Sequence, residues 1–181
     1  MALAPTLWRT SRMLAGATRL DLLRLIIENP DGRVTDLAAA AGLSESRTSQ
    51  ELRRLQARGL VQAVREGASV LYRPVPDPLV ASAKPLLAAA KTALAKHPRE
   101  DTLRVAKAFG HERRLQIVRA LGKGPHGFTE LAIIVPMSEM ALFRHLQVLR
   151  EGKMVRKGKR GWELAPNTHP LAQAMLRLLA D

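Results

Sequence analysis

Two stretches of the sequence carry side chains suited to binding nucleic acid. In the first stretch, residues 44–53, Arg and Gln side chains can hydrogen-bond to guanine and adenine edges, and Ser can reach bases or phosphates. The candidate contacts there are Ser44, Ser46, Arg47, Ser49, Gln50 and Arg53. Arg65 and Arg73 follow at positions better suited to phosphate. The alternative interpretation of this stretch is an ordinary solvated helix face.

The second stretch lies in the C-terminal half and is more basic. Its centre is the run Arg156-Lys157-Gly158-Lys159-Arg160, which suits contact with the phosphate backbone or the minor groove. The other candidates in this half are Ser138, Arg144 and His145. A charge run that only keeps the protein in solution is the alternative here.

Few residues suit catalysis or metal binding. The absence of cysteine excludes disulfides, thiolate nucleophiles and cysteine-based metal sites. The five histidines form no pair at ligand spacing on one helix. The sequence also lacks a glycine-rich phosphate loop, a carboxylate pair and a Ser-His-Asp set. We therefore expect no enzymatic activity, no metal site and no cofactor.

The charge balance points to a polyanionic partner. The chain has 181 residues, and its 29 Lys and Arg against 16 Asp and Glu give a net charge of +13. Aromatic residues make up only 3%, too few for a protein that stacks single-stranded bases, so duplex DNA is the predicted partner. No apolar run reaches the ~18 residues of a membrane span, and Arg9 and Arg12 interrupt the N-terminal apolar stretch. We expect a cytoplasmic, nucleoid-associated protein without membrane contact.

The second half of the sequence repeats the first. Arg19, Leu20 and Arg24 recur about 95 residues later as Arg114, Leu115 and Arg119. After a one-residue slip the matches continue to Val61 and its counterpart Val155. Because the identities fall at predicted caps, turns and helix core positions, they indicate two homologous units, residues 1–97 and 98–181.

The pattern of each unit predicts two helices joined by a tight turn, followed by a hairpin. In the first unit we expect helices at 6–14, 18–28, 35–41, 44–58 and 77–96 and strands at 60–65 and 70–73. Thr35 and Ser44 are predicted N-caps, Gly42 forms the turn, and residues 66–69 form the hairpin tip. Pro85 predicts a kink or break in the last helix. The second unit repeats this plan and closes with a helix at 169–180.

These elements resemble the ArsR family of winged helix-turn-helix repressors. The likeness lies in Thr35-Asp36-Leu37-Ala38, Gly42-Leu43-Ser44, Leu52, Leu55, Gly59-Leu60-Val61 and, in the second unit, the run from Phe143 to Glu151. The resemblance implies a mainly α fold with small β-hairpin wings, in which the helix after the turn enters the major groove. It also implies a sequence-specific transcription regulator, a repressor in this family, that pairs through its first and last helices and releases DNA when a small-molecule effector binds.

Family members usually carry one unit per chain, so two units imply an intramolecular pseudo-dimer. Residues 77–96 and the helix near 102–109 would then pack between the lobes. A further pairing of whole chains is the alternative. Two other functions stay open, namely non-specific architectural DNA binding and a protein-interaction module built from tandem winged helices.

The second unit departs from the pattern in two places. Pro136 stands where the first unit has Gly42, so the same left-handed turn cannot form. Met140, Leu142 and Phe143 make the start of its predicted recognition helix apolar. Met140 and Phe143 either touch thymine methyl groups or, as we slightly favour, pack against the rest of the protein. The unequal units predict an asymmetric DNA site.

Overall fold

The computed structural model describes residues 4–67 and 69–180. The helices of the first half are α1 (Ala4–Leu14), α2 (Ala17–Glu28), α3 (Val34–Ala41), α4 (Glu45–Gln56) and α5 (Ala83–Lys96), and its strands are β1 (Gly32–Arg33), β2 (Gln62–Glu66) and β3 (Ser69–Arg73). The second half contains α6 (Arg99–Phe109), α7 (Glu112–Gly122), α8 (Phe128–Ile134), α9 (Glu139–Glu151), β4 (Val155–Gly158), β5 (Gly161–Leu164) and α10 (Pro170–Ala180). The predicted mainly α fold with small hairpins is confirmed. Residue 68 of the predicted hairpin tip lies outside the described residues.

The turn before α4 forms as its residue types predict. Gly42 ends α3 in the left-handed conformation, with φ of 64°, which glycine adopts at little cost. Ser44 then caps α4, because its Oγ accepts a hydrogen bond from the backbone N–H of Arg47 at 3.3 Å. On α4, Thr48, Leu52 and other inward positions are fully buried. This geometry holds α3 and α4 in a helix-turn-helix arrangement.

The predicted cap at Thr35 is wrong. Gly32 and Arg33 are extended and pair with Tyr72 and Leu71 of β3, so α3 already begins at Val34 with Arg33 at the N-cap position. Thr35 therefore lies exposed in the first turn of α3. The pairing makes β1 the edge of a three-stranded sheet in the order β1-β3-β2.

The two hairpins differ in length. In the first, β2 and β3 pair from Gln62 with Arg73 to Glu66 with Ser69. In the second, β4 and β5 pair over four residues each and leave only Lys159 and Arg160 at the tip. An additional bridge joins the backbone of His126 to Trp162 in β5, which ties the segment before α8 to this shorter wing.

The predicted helix at 77–96 begins later than expected, and the expected break at Pro85 is not seen, because α5 is continuous from Ala83 to Lys96. Residues 77–82 form turns, and α5 begins at Ala83. Pro85 therefore lies in the first helical turn, where a backbone N–H would have no partner inside the helix. The remaining helix is continuous to Lys96.

The first and last helices of both halves meet at the centre of the molecule. Helix α1 packs on α6 and α7, and α5 packs on α10. The Ser11 hydroxyl of α1 donates to the Ala106 carbonyl of α6 at 2.9 Å in the buried interior. Arg99 donates two hydrogen bonds to the Asp21 carboxylate, at 2.5 and 2.7 Å. The buried apolar side chains of the two halves thus form one connected core.

No single helix in the described part of the chain has the length and apolar character needed to cross a membrane. Helices α8 and α9 reach that length only together, across a bend of 103°.

Candidate nucleic-acid interface

Helix α4 presents a polar face to solvent. The exposed candidates on it are Ser46, Arg47, Gln50 and Arg53, and Ser49 is half-buried. Neither Arg47 nor Arg53 forms an ion pair with any described residue, so both guanidinium groups keep their charge uncompensated. Ser44 is exposed but already serves as the cap. Arg and Gln side chains of this kind can hydrogen-bond to base edges.

The opposite side of α4 is held by a buried carboxylate that sequence reasoning missed. Glu51 accepts from Arg19 of α2 at 2.9 Å and from Arg54 at 2.5 Å. The same Arg19 donates from Nε to the Met13 carbonyl at 2.8 Å, so it joins the end of α1 to α4. The Arg19 and Glu51 side chains are only 18% and 11% exposed, respectively. We call this set the Glu51 lock, and it sets the position of α4 against α2.

The first wing, the hairpin of β2 and β3, holds its two candidate arginines in different states. Arg65 is exposed on β2. Arg73, at the base of the wing, forms an ion pair with Asp31. Asp31 has φ of 71° in the turn after α2, and its carboxylate offsets the charge that Arg73 would bring to a phosphate.

Helix α9 exposes apolar side chains where α4 exposes polar ones. Leu142 is fully buried, but Met140 and Phe143 are 62% and 50% exposed. The favoured expectation that these two residues pack against the protein is therefore wrong, because Leu142 takes the inward position and leaves them on the outer side. Ser138 caps α9 by accepting from the Ala141 N–H at 3.3 Å, and Arg144 is exposed.

The turn before α9 also differs from its counterpart, as expected. Helix α8 ends at Val135 with φ of −117°, whereas Gly42 in the first unit is left-handed. Pro136 follows directly and is exposed. The neighbouring Ile133 and Ile134 are 74% and 46% exposed, so they extend the apolar surface from α9 to α8.

His145 occupies the position that Glu51 holds in the first unit, and it lies half-buried against α7. Its ring centroid is 4.7 Å from that of His111, the N-cap of α7. Arg114, the counterpart of Arg19, donates to the Ala108 carbonyl at 2.8 Å just as Arg19 donates to Met13. No described carboxylate pairs with Arg114.

This substitution changes the electrostatics of the second unit. Burial, together with the nearby His111 and Arg114, lowers the pKa of His145 to about 4. Burial and the charge of Arg12 lower the pKa of the Arg114 guanidinium to about 10. The His145 imidazole is therefore neutral at neutral pH and lies against the start of α7. In both respects it differs from the exposed candidates for DNA contact.

The second wing, formed by β4 and β5, is strongly basic. Arg156 donates to Glu163 at 2.7 Å, which offsets its charge. Lys157, Lys159 and Arg160 are exposed and form no ion pair with any residue the structure describes. A duplex placed against this wing would meet three uncompensated cations.

Comparison with protein families agrees with this architecture. Residues 16–68 match the MarR family, and residues 111–157 match the bacterial regulatory proteins of the arsR family. No curated protein matches the chain. The prediction of two tandem winged helix-turn-helix units is confirmed, with the first unit matching the MarR family rather than the ArsR family. Such units mark a DNA-binding transcription regulator.

Proposed function

We propose that this regulator is a repressor that binds an asymmetric site on duplex DNA. The main observation in support is the exposed face of α4. The side chains of Arg47, Gln50 and Arg53 have no hydrogen-bond or ion-pair partner among the described residues, while the Glu51 lock holds the opposite side of the helix. A preorganised helix loses little conformational entropy on binding, so its side chains can discriminate between bases. In this proposal Ser44, Ser46 and Ser49 bind phosphate or base edges beside them, and Arg65 and Arg73 bind phosphate from the first wing.

The second unit contributes a different kind of contact. Its wing places Lys157, Lys159 and Arg160 on the phosphate backbone or in the minor groove, with Arg156 held back by Glu163. Beside it, Ser138 and Arg144 meet phosphate. The exposed Met140 and Phe143 suit contact with thymine methyl groups, the apolar feature of the major groove.

We further propose that one chain forms a pseudo-dimer, with units at 1–97 and 98–181. The packing of α1 on α6 and of α5 on α10 supports this, because these are the elements through which separate subunits of the family would pair. In such a pseudo-dimer, each half covers the surface through which the other half would otherwise pair with a second chain. Sedimentation equilibrium of the free protein distinguishes this arrangement, which predicts a monomer, from a further pairing of whole chains.

The experiment that tests base reading compares a selected site with random DNA. Bound fragments are recovered from sheared genomic DNA of the source organism, and the affinity for the best fragment is measured by fluorescence anisotropy. Because a base contact contributes about 1–3 kcal/mol, Arg47→Ala or Gln50→Ala should weaken specific binding about tenfold. Binding to random duplex should change little. Arg177→Ala, an exposed position on α10, is the matched control.

Salt dependence separates the wing from the recognition helix. Removing one phosphate contact by Arg160→Ala should lower the slope of log affinity against log salt by about 1, equally on specific and random DNA. A steep slope with no preference for any fragment would instead identify a non-specific architectural protein. Failure to bind any duplex at low salt would identify a protein-interaction module. Reduced transcription in vitro from a promoter that contains the recovered site would support the repressor role.

A further inference from the structure

We propose that a groove in the second unit binds an apolar molecule with one carboxylate group, and that this ligand alters DNA binding by that unit. The groove lies among α7, α10, β5 and the turn before α9, and its volume is about 930 Å³. That volume is within the range of natural small-molecule sites. The second half of the proposal rests on the proposed DNA-binding function.

The walls of the groove are mainly apolar. The apolar side chains that line it include Val118, Ile134, Val135, Leu164, Leu176 and Leu179. Five of these come from β5, α10 and the end of α8 rather than from one helix, so the lining is a concave surface and not an exposed helix stripe. An apolar body placed there would be removed from water on several sides, which is the main source of affinity for such ligands.

The polar groups of the groove select for an anion. The groove is lined by three cationic side chains, Arg113 and Arg119 of α7 and Lys123, which directly follows α7. None of the three forms an ion pair with a described residue. Among the residues that the structure describes, the lining contains no Asp or Glu. His126 also lines the groove, and its Nδ1 lies 2.8 Å from a Glu130 carboxylate oxygen. Arg113 donates to the Gln116 side-chain oxygen at 3.2 Å and Arg119 to the Leu179 carbonyl at 3.3 Å, but both acceptors are neutral. Three cations without a described ion-pair partner, beside apolar walls, complement a carboxylate with an apolar tail.

The first unit offers an internal comparison. At the repeat positions of Arg113 and Lys123 it has Thr18 and Glu28. At the position of Gln116 it has Asp21, whose carboxylate is bound to Arg99. At the position of Arg119 the first unit keeps an arginine, Arg24. Two of the three cations are thus specific to the second unit, the same half in which Pro136 replaces the turn glycine.

The groove touches both parts of the second unit that would contact DNA. Val135 and Pro136 line it and lie in the turn between α8 and α9. His126 also lines it, and its backbone exchanges two hydrogen bonds with Trp162 of the wing, at 3.0 and 2.8 Å. A ligand that prefers one position of this turn over another shifts the orientation of α9, and by thermodynamic reciprocity DNA shifts ligand affinity by the same factor.

Isothermal titration calorimetry measures the binding of decanoate to the full chain in the absence of DNA. Decan-1-ol has the same tail without the charge, and acetate has the charge without the tail. We expect decanoate to bind at least about tenfold more tightly than either, as expected when a charged hydrogen-bonded contact adds to apolar burial. Equal binding of decanoate and decan-1-ol, or no binding of decanoate, would overturn the proposal.

A pair of neighbouring variants locates the site. Ile134→Glu places a carboxylate in the groove at a position that is 46% exposed, and it should abolish decanoate binding by repulsion. Ile133→Glu adds the same charge next to it, at a 74% exposed position outside the groove lining, and should leave binding unchanged. Unchanged binding in Ile134→Glu, or equal loss in both folded variants, would contradict this location. Lys123→Ala gives an independent test, with an expected loss of about tenfold.

The coupling is measured separately, by anisotropy with and without saturating decanoate. A change in DNA affinity that disappears in Ile134→Glu supports the coupling, and an unchanged affinity refutes it. If the chain binds no DNA at all, the calorimetric result still decides whether the ligand site exists.

Discussion

Glu51 of the first unit and His145 of the second lie at equivalent repeat positions, and this difference allows a quantitative prediction about stability. Glu51→Gln keeps the shape of the side chain and one acceptor oxygen, but it removes the negative charge beside the Arg19 guanidinium, which is 18% exposed and donates from Nε to the Met13 carbonyl. A hydrogen bond to a charged group contributes about 1.5–3 kcal/mol, and removing one partner of a buried ion pair costs more than the pair itself contributes. We expect Glu51→Gln to lower the free energy of unfolding by about 2–3 kcal/mol.

The reciprocal change should act in the opposite direction. His145→Glu places a carboxylate beside Arg114, whose pKa is lowered to about 10 by burial and by Arg12. Since Arg114 is only partly buried, solvent screening limits the gain, and we expect an increase in stability of about 1 kcal/mol. His145→Gln, which removes the imidazole without adding charge, is the matched control.

Urea unfolding followed by circular dichroism measures all three variants at neutral pH and low salt. At about 2–4 °C per kcal/mol for a chain of this length, Glu51→Gln should also lower Tm by about 5–10 °C. Stability of Glu51→Gln within about 0.5 kcal/mol of the parent would refute the buried lock. If His145→Glu is no more stable than His145→Gln, the equivalence of the two positions is wrong.

Two further predictions concern the second unit. Gly161→Ala should disrupt the wing and lower the free energy of unfolding by about 2–4 kcal/mol, because φ is 121° and a Cβ would lie 2.3 Å from the His126 carbonyl oxygen. Gly67→Ala is the control, since φ there is 60° and a Cβ would meet open space, and it should lower this free energy by about 1 kcal/mol. Urea unfolding and near-ultraviolet dichroism of the tryptophans measure both. Burial and the adjacent His97 lower the pKa of His169 from 6.5 to about 4, so the unfolded chain binds more protons between these values and stability should fall as the pH drops from 6.5 towards 4. In the folded protein His169 Nδ1 accepts from the Leu171 N–H at 3.3 Å, at the start of α10. His169→Asn, which can provide an acceptor at the same position, should reduce this pH dependence in urea titrations, and an unchanged slope would contradict the assignment.

The elements that the sequence predicted well depend on local chemistry. Gly42, Ser44 and Ser138 act within one turn of their own position, through a left-handed backbone or a cap hydrogen bond. The repeat adds weight, because the same caps recur in both units. Helix order and the hairpins follow from this information, even though the strand ends differ by one or two residues.

The features that were missed depend on residues far apart in the chain. Glu51 reads as one more charge on a polar helix, and only Arg19 of α2 makes its burial favourable. The cap at Thr35 was lost because Arg33 pairs with β3, a contact between segments separated by two helices. Two features of the sequence nevertheless indicate that Glu51 is buried. Its carboxylate lies between Thr48 and Leu52, two inward positions of α4, and its partner Arg19 recurs in the second unit as Arg114.

The two recognition helices are held differently, and this bears on how the protein reads DNA. In the first unit, Glu51 joins α4 to α2 through one hydrogen-bonded ion pair with Arg19, and its other oxygen binds Arg54 within α4 itself. We expect this contact to hold the polar face of α4 in place for base discrimination. In the second unit, His145 removes that anchor, and Pro136 changes the turn that leads into α9. A less firmly anchored helix can be shifted by a ligand in the adjacent groove at lower energetic cost than α4 could be. We therefore expect sequence recognition to reside mainly in the first unit and effector response in the second, so that a ligand changes the affinity for the DNA site more than its preferred sequence.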